Sequence, residues 1–178
     1  MALKATIFKA ELIISDLERH YYQTHHLTLA RHPSETDERM MLRILIFAIY
    51  ADERLEMTRG LSTDDEPDVW KKSLTNEIEH WIELGQPDER RLRKASGRAN
   101  RVSLLTYGGN APEVWWEQNG QKLKLIDNLD VWRIEDQYSK ALANLTKRNM
   151  RLQVMIDDAQ IWFTADEQTV EITLSRYQ

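Results

Sequence analysis

Two carboxylates stand where chemistry is commonly built. Asp68 follows Pro67 in DDEPDVW, and Glu83 closes the apolar segment IEHWIELG, immediately before Gly85 and the helix-opening run Pro87-Asp88-Glu89. Strand alternation puts Glu79, Trp81 and Glu83 on one face, with Ile78, His80, Ile82 and Leu84 on the other. In the preceding segment Asp68, Trp70 and Lys72 share a face. A strand end beside a helix start opens into a crevice, which is where α/β folds place their sites. Two carboxylates on neighbouring strand ends can hold Mg²⁺, which takes oxygen ligands and keeps several waters. A nearby Lys or Arg then steadies a phosphate or orients the attacking water. Such a set suits hydrolysis of a phosphodiester. The plainer reading of the same residues is a solvated sheet face laced by cross-strand ion pairs.

The helix after Glu83 is basic. Arg90, Arg91, Arg93, Lys94, Arg98 and Arg101 crowd residues 90–101. Arg90, Arg91, Lys94 and Arg98 fall at helical spacings that make a stripe, readable as a phosphate track towards Glu83 or as a solvated face paired with carboxylates such as Glu89. The formal net charge of −5 argues against strong nonspecific nucleic-acid binding, so this stripe is the candidate for weak contacts.

Other chemistries find little support. The chain has no cysteine, which removes disulfides and Cys-ligated zinc and fits a reducing cytoplasm. His25 and His26 point to opposite faces of a strand, and no histidine pair has i, i+4 metal spacing. Gly108-Gly109 lacks the Walker pattern and reads as a turn, and no nucleophile-elbow serine occurs. Trp115-Trp116 reads as one buried and one half-exposed aromatic.

These residues need a scaffold of strands and helices to position them. A hairpin is expected over the first thirty residues, with alternation at Phe8, Ala10, Leu12 and Ile14, a turn around 16–18, and a return through Leu27 and Leu29. A buried helix follows over about 35–52, with Ser34 as N-cap and Asp37 three residues later, in the manner of a capping box. Strands are expected at LEMTRGL, PDVWKKS and IEHWIELG, with an acidic turn from Ser62 to Pro67. A helix from 87 to about 99 and a buried strand RVSLLTYG come next. A helix from Pro112, broken at Gly120, leads to a strand LDVWRIED and a short helix DQYSKALANLT. Three strands end the chain: LQVMID, IWFTAD and VEITLSRY. The class is α+β, in one domain spanning 1–178. The N-terminus lacks the continuous apolar core of a signal peptide, and the longest apolar run, 44–51, is far short of the ~20 residues a membrane span needs. A soluble cytoplasmic protein is expected, with no membrane partner.

ARHPSETDERMMLR, YADERLEMTRGL, DDEPDVW, WIELGQPDERRLRKA and the Trp pair, in this order, closely resemble the YaeQ family of small bacterial proteins over nearly the whole chain. The resemblance implies an α/β roll that varies the PD-(D/E)XK restriction-endonuclease-like fold. The nuclease-like core would span about 34–108, and a further β layer would come from about 1–32 and 148–178. It implies a catalytic set of Glu38 on the first core helix, Asp68 after Pro67, and Glu83, with Asp68 and Glu83 as ligands of Mg²⁺. Where the pattern wants lysine two residues after Glu83, this chain has Gly85. Nuclease-like families can move that lysine to the following helix, and Lys94 is the first candidate. Arg91, nearer the edge of the Leu92-Ala95-Ala99 stripe, is the second. Glu38 has a plainer role too, at the positive end of its helix. The function implied is a Mg²⁺-dependent phosphodiester hydrolase or a degenerate relative of one. The alternatives are a noncatalytic, transcription-associated factor that binds nucleic acid or protein, and a partner-binding protein that uses the edges of the terminal β layer.

Overall fold

A computed structural model describes residues 4–59 and 64–178. The chain forms two compact units, residues 1–49 with 137–174, and residues 50–136 with 175–178.

The first unit begins with the expected hairpin, β1 (Thr6–Asp16) and β2 (Tyr21–Arg31), paired without a break over eleven residues each. Helix α1 (Asp37–Ile49) is buried from Met40 to Ala48. Its cap differs from expectation. Thr36 fills the position, its Oγ1 accepting from Arg39 N at 3.1 Å, while Ser34 Oγ pairs with His32 Nδ1 at 2.7 Å and Asp37 pairs with Arg31. An Asp at the third position of a capping box is short for reaching back, and here Arg31 takes it. Most of α4 (Asp136–Ala143) belongs to this unit, with β8 (Asn149–Asp157), β9 (Gln160–Ala165) and β10 (Gln168–Thr173). The sheet order is β10-β9-β8-β1-β2, with β1 and β8 parallel.

The second unit holds β3 (Leu55–Met57), β4 (Val69–Lys72), β5 (Ile78–Leu84), α2 (Glu89–Arg98), β6 (Ala99–Thr106), α3 (Ala111–Leu123), β7 (Leu129–Arg133) and β11 (Ser175–Arg176). Their order in the sheet is β11-β7-β6-β5-β4-β3: β3, β4 and β5 meander antiparallel, while β5, β6 and β7 run parallel. Of the acidic turn expected at 62–67, Ser62 and Thr63 lie outside the described residues, as do Gly60 and Leu61 of the expected strand LEMTRGL. One face of the sheet buries Trp81, Val102, Leu104 and Val131 with Leu92 and Ala95 of α2 and Trp115 of α3. The parallel β5–α2–β6 crossover is what brings a helix start against the end of β5.

Two further expectations are corrected. Helix α3 runs unbroken through Gly120, whose missing Cβ leaves room for Trp116: a Cβ there would lie 2.8 Å from Trp116 Cε2. The last strand is also two pieces. β10 ends at Thr173, and β11 pairs with β7 instead, where the Gln178 amide donates to the carbonyls of Leu123, Ile126 and Leu129.

Candidate functional site

The antiparallel register of β4 and β5 sets Val69 opposite Ile82, so Asp68, one residue before β4, lies beside Glu83. The pairing continues through Asp68: its N–H donates to Ile82 O at 3.2 Å, and its Oδ2 accepts from Leu84 N at 2.9 Å. Asp68 is thus tied to the backbone on either side of Glu83, by its own N–H to Ile82 and by its carboxylate to Leu84. Both acids are buried, at 4% and 3% exposure.

Glu83 sits on the face that carries Trp81 and the core. Burial raises its pKa, the Asp68 charge raises it further, and the Arg91 guanidinium opposes both, with a small lowering contribution from the Trp81 indole. Its Oε2 is buried and meets no hydrogen-bond partner of good geometry, and neither does Trp81 Nε1. A buried carboxylate oxygen whose remaining donor is a poorly aligned indole N–H is costly, and a buried carboxylate with a raised pKa at a strand end is a site candidate.

Helix α2 starts against this pair for local reasons. Gly85 takes a φ of +101°, a conformation that suits glycine and would strain a lysine at that position. Asp88 then caps α2, its side chain accepting from Arg91 N at 2.8 Å. The first turn so formed swings Arg91 over Glu83. Arg91 Nε donates to Glu83 Oε1 at 2.7 Å, Nη2 meets the same oxygen and donates to Glu66 O at 2.9 Å, and Nη1 lies 3.8 Å from Asp64.

The other expected residues are placed differently. Lys94 Nζ donates to Asp65 at 3.2 Å and is exposed; Arg98 donates to Asp65 O at 3.1 Å with its guanidinium 5.2 Å from the Trp81 ring; Arg93 pairs with Glu89 at 2.7 Å. Arg90 is exposed. The structure therefore puts Arg91, not Lys94, in contact with Glu83. Glu38 belongs to the first unit, where its two oxygens accept from Ser139 Oγ at 2.7 Å and Lys140 Nζ at 3.1 Å. Glu79 makes the cross-strand pairs of a solvated face, with Arg54 at 3.1 Å and Lys71 at 3.5 Å.

A second polar cluster has no counterpart in the sequence reading. On the opposite face of the same sheet, His80 Nε2 and Ser103 Oγ lie 2.8 Å apart, and Ser103 Oγ donates to Asp130 Oδ2 at 3.2 Å. Arg101 and Arg176 both hold Asp130. Burial, aided by Arg101, lowers the His80 pKa to about 4, so it is a neutral hydrogen-bonding group at pH 7. The one local signal was Ser103, a polar residue buried between the apolar Val102 and Leu104.

Among the described residues no group of three or more His, Asp or Glu side chains comes together that would hold a metal ion. The site offers the pair Asp68 and Glu83 with one unpartnered oxygen. Carboxylate oxygens are the donor type a hard cation takes.

Two mixed sheets with four helices among the described residues, and a buried acid pair closed by an arginine at a strand end, make this an α+β protein with an acidic sheet-end site. The chain belongs to the YaeQ family, whose match runs over residues 1–174. It is 48% identical to the uncharacterized protein YaeQ of Escherichia coli (strain K12), over all of this chain and 98% of that one, and 47% identical to its Salmonella typhi counterpart over the same shares. Its structure is similar to the crystal structure of YaeQ from Xanthomonas axonopodis pv. citri, with a TM-score of 0.94 at 48% identity, covering 98% of each chain. It is also similar to that of YaeQ from Pseudomonas syringae, with a TM-score of 0.92 at 39% identity over 97% and 95% of the two chains. No helix among the described residues is long and apolar enough to cross a membrane.

Proposed function

We propose that this chain is a Mg²⁺-dependent phosphodiester hydrolase on a PD-(D/E)XK-like core, with Asp68 and Glu83 holding the cation. The observation that carries the reading is the buried Glu83 carboxylate beside Asp68, with Oε2 left unpartnered. The order α1, β3–β5, α2, β6 supports it, being the core order of that fold. When bound, the cation would polarise the phosphoryl oxygen and lower the pKa of a bound water. The protein's own groups do the rest. Asp68 is held in place by Leu84 N–H. Glu83, with Oε1 held by Arg91, would bring Oε2 to the cation beside Asp68. Arg91 orients Glu83 and has the fork geometry to steady a phosphate; Lys94, on the same helix and exposed, supplies charge further out. Glu38, spent on Ser139 and Lys140, serves this reading only as helix-start electrostatics. Arg90, Lys94 and Arg98 supply weak backbone contacts to the nucleic acid.

Incubation with labelled single- and double-stranded DNA and RNA, in Mg²⁺, Mn²⁺ or chelator, tests this. Metal-dependent cleavage that Asp68→Asn abolishes is expected; no cleavage of any substrate under any condition sinks the hydrolase.

A second reading, a noncatalytic factor that binds nucleic acid or protein, is favoured by one observation: Arg91 already supplies a cation to Glu83. It predicts binding that is indifferent to metal and leaves the strands intact.

A further inference from the structure

We propose that β2 is the edge through which two copies of this chain pair, antiparallel about a two-fold axis, joining their five-stranded sheets into one of ten strands. Among the described residues, four strands end the two sheets: β2, β10, β3 and β11. β3 has three residues, β11 two, and β10 six with Glu171 among them. Such short or charged strands are how proteins blunt their edges. β2 does neither. It runs eleven residues, about 36 Å at the usual rise, and its register against β1 is unbroken by any bulge. Residues Tyr21 to Ala30 include no Pro, Lys, Arg, Asp or Glu. Tyr22, Gln23, Thr24, His26, Thr28 and Ala30 are exposed.

A second copy is the occupant that fits this strand. Pairing with itself brings no like charges together, which matters for a chain of net charge −5. The regular edge also offers a row of backbone donors and acceptors to an identical row, with the Ala30 carbonyl at one end already accepting from Arg43 Nη2 at 3.3 Å. Side-chain parity then limits the register. Leu27 and Leu29 point to the more buried face, while Thr24, His26 and Thr28 point to the exposed one. Opposed residues in an antiparallel pair share a face, so even-numbered residues must oppose even-numbered ones. Full overlap of Tyr21–Arg31 with itself meets this condition, with His26 on the axis. It sets Thr24 of one copy opposite Thr28 of the other, twice.

That pair of positions gives the test. Sedimentation velocity on the full chain should show a dimer of the 21.0 kDa chain at micromolar concentration. Thr24→Lys/Thr28→Lys and Thr24→Glu/Thr28→Glu each set like charges opposite one another and should each give folded monomers, judged by circular dichroism. Mixed in equal amounts, the two should form a heterodimer. Thr24→Lys/Thr28→Glu, which carries as many substitutions but sets Lys opposite Glu across the axis, should remain a dimer and controls for damage to β2 itself. A wild-type monomer overturns the proposal, and so does dimerisation of the like-charge variants on their own. Loss of the dimer in the Lys/Glu variant, or failure of the mixture to pair, overturns the register. A wild-type monomer that instead takes up an extended foreign strand at β2 would identify a different occupant and likewise overturn self-pairing.

Discussion

At the scale of single residues, the Glu83–Arg91 pair decides between a structural ion pair and a site held at a cost. Burial and Asp68 raise the Glu83 pKa despite Arg91. A carboxyl whose folded pKa lies above its unfolded value stabilises the fold fully below the unfolded pKa, and that stability is lost as pH rises through the folded pKa. At neutral pH the wild type therefore carries the cost of ionised Glu83, and a neutral isostere does not. Glu83→Gln should raise stability at pH 7.5 by about 1 kcal/mol, or roughly 2–4 °C in Tm. The advantage should shrink as pH falls towards 4.5. Thermal melts of both proteins across that range check it; a purely structural pair would show the reverse, with Gln less stable at neutral pH. Much at this scale was legible. Asp68 and Glu83 stood out by their place beside a turn and a helix start. Arg91 was foreshadowed by helix geometry, because it borders the stripe that α2 buries. The His80–Ser103–Asp130 cluster was not legible, because its members come from three strands whose register no local pattern reveals.

At the scale of elements, α3 shows how one small residue sets a packing arrangement. Gly120 looked like a break because glycine weakens a helix interior by about 1 kcal/mol relative to alanine. Its contact is with the Trp116 indole, one turn earlier, which stacks on Tyr177 with ring centroids 4.9 Å apart. Gly120→Ala should therefore destabilise the protein, by about 1–3 kcal/mol, because the added methyl must push a stacked ring. In a Trp116→Ala background the sign should invert, to a gain of up to about 1 kcal/mol from helix propensity. Chemical denaturation of the four proteins in this cycle measures both. The general lesson concerns what periodicity can carry: strand and helix positions followed from alternation and caps, as in β1, β2 and α2. The identity of a cap (Thr36 for Ser34) and the parting of β10 from β11 depend on partners distant in sequence.

At the scale of the whole molecule, the basic stripe is largely neutralised from within. Lys94 and Arg98 share Asp65, Arg93 holds Glu89, and Arg101 holds Asp130. With a net charge of −5, this leaves little cation surplus for phosphate, and any nucleic-acid contact should be weak and steeply salt-dependent. The acidic sheet-end site is then what distinguishes the molecule, and its capacity for a cation is the central claim. Calorimetric titration of Mn²⁺ into the wild type, Asp68→Asn and Glu83→Ala measures that directly. One ion should bind the wild type, and each variant should lose at least about tenfold in affinity, the effect of about 1.4 kcal/mol in binding free energy. A wild type that binds no ion, or three proteins that bind it alike, would contradict the assignment of Asp68 and Glu83 as a cation site.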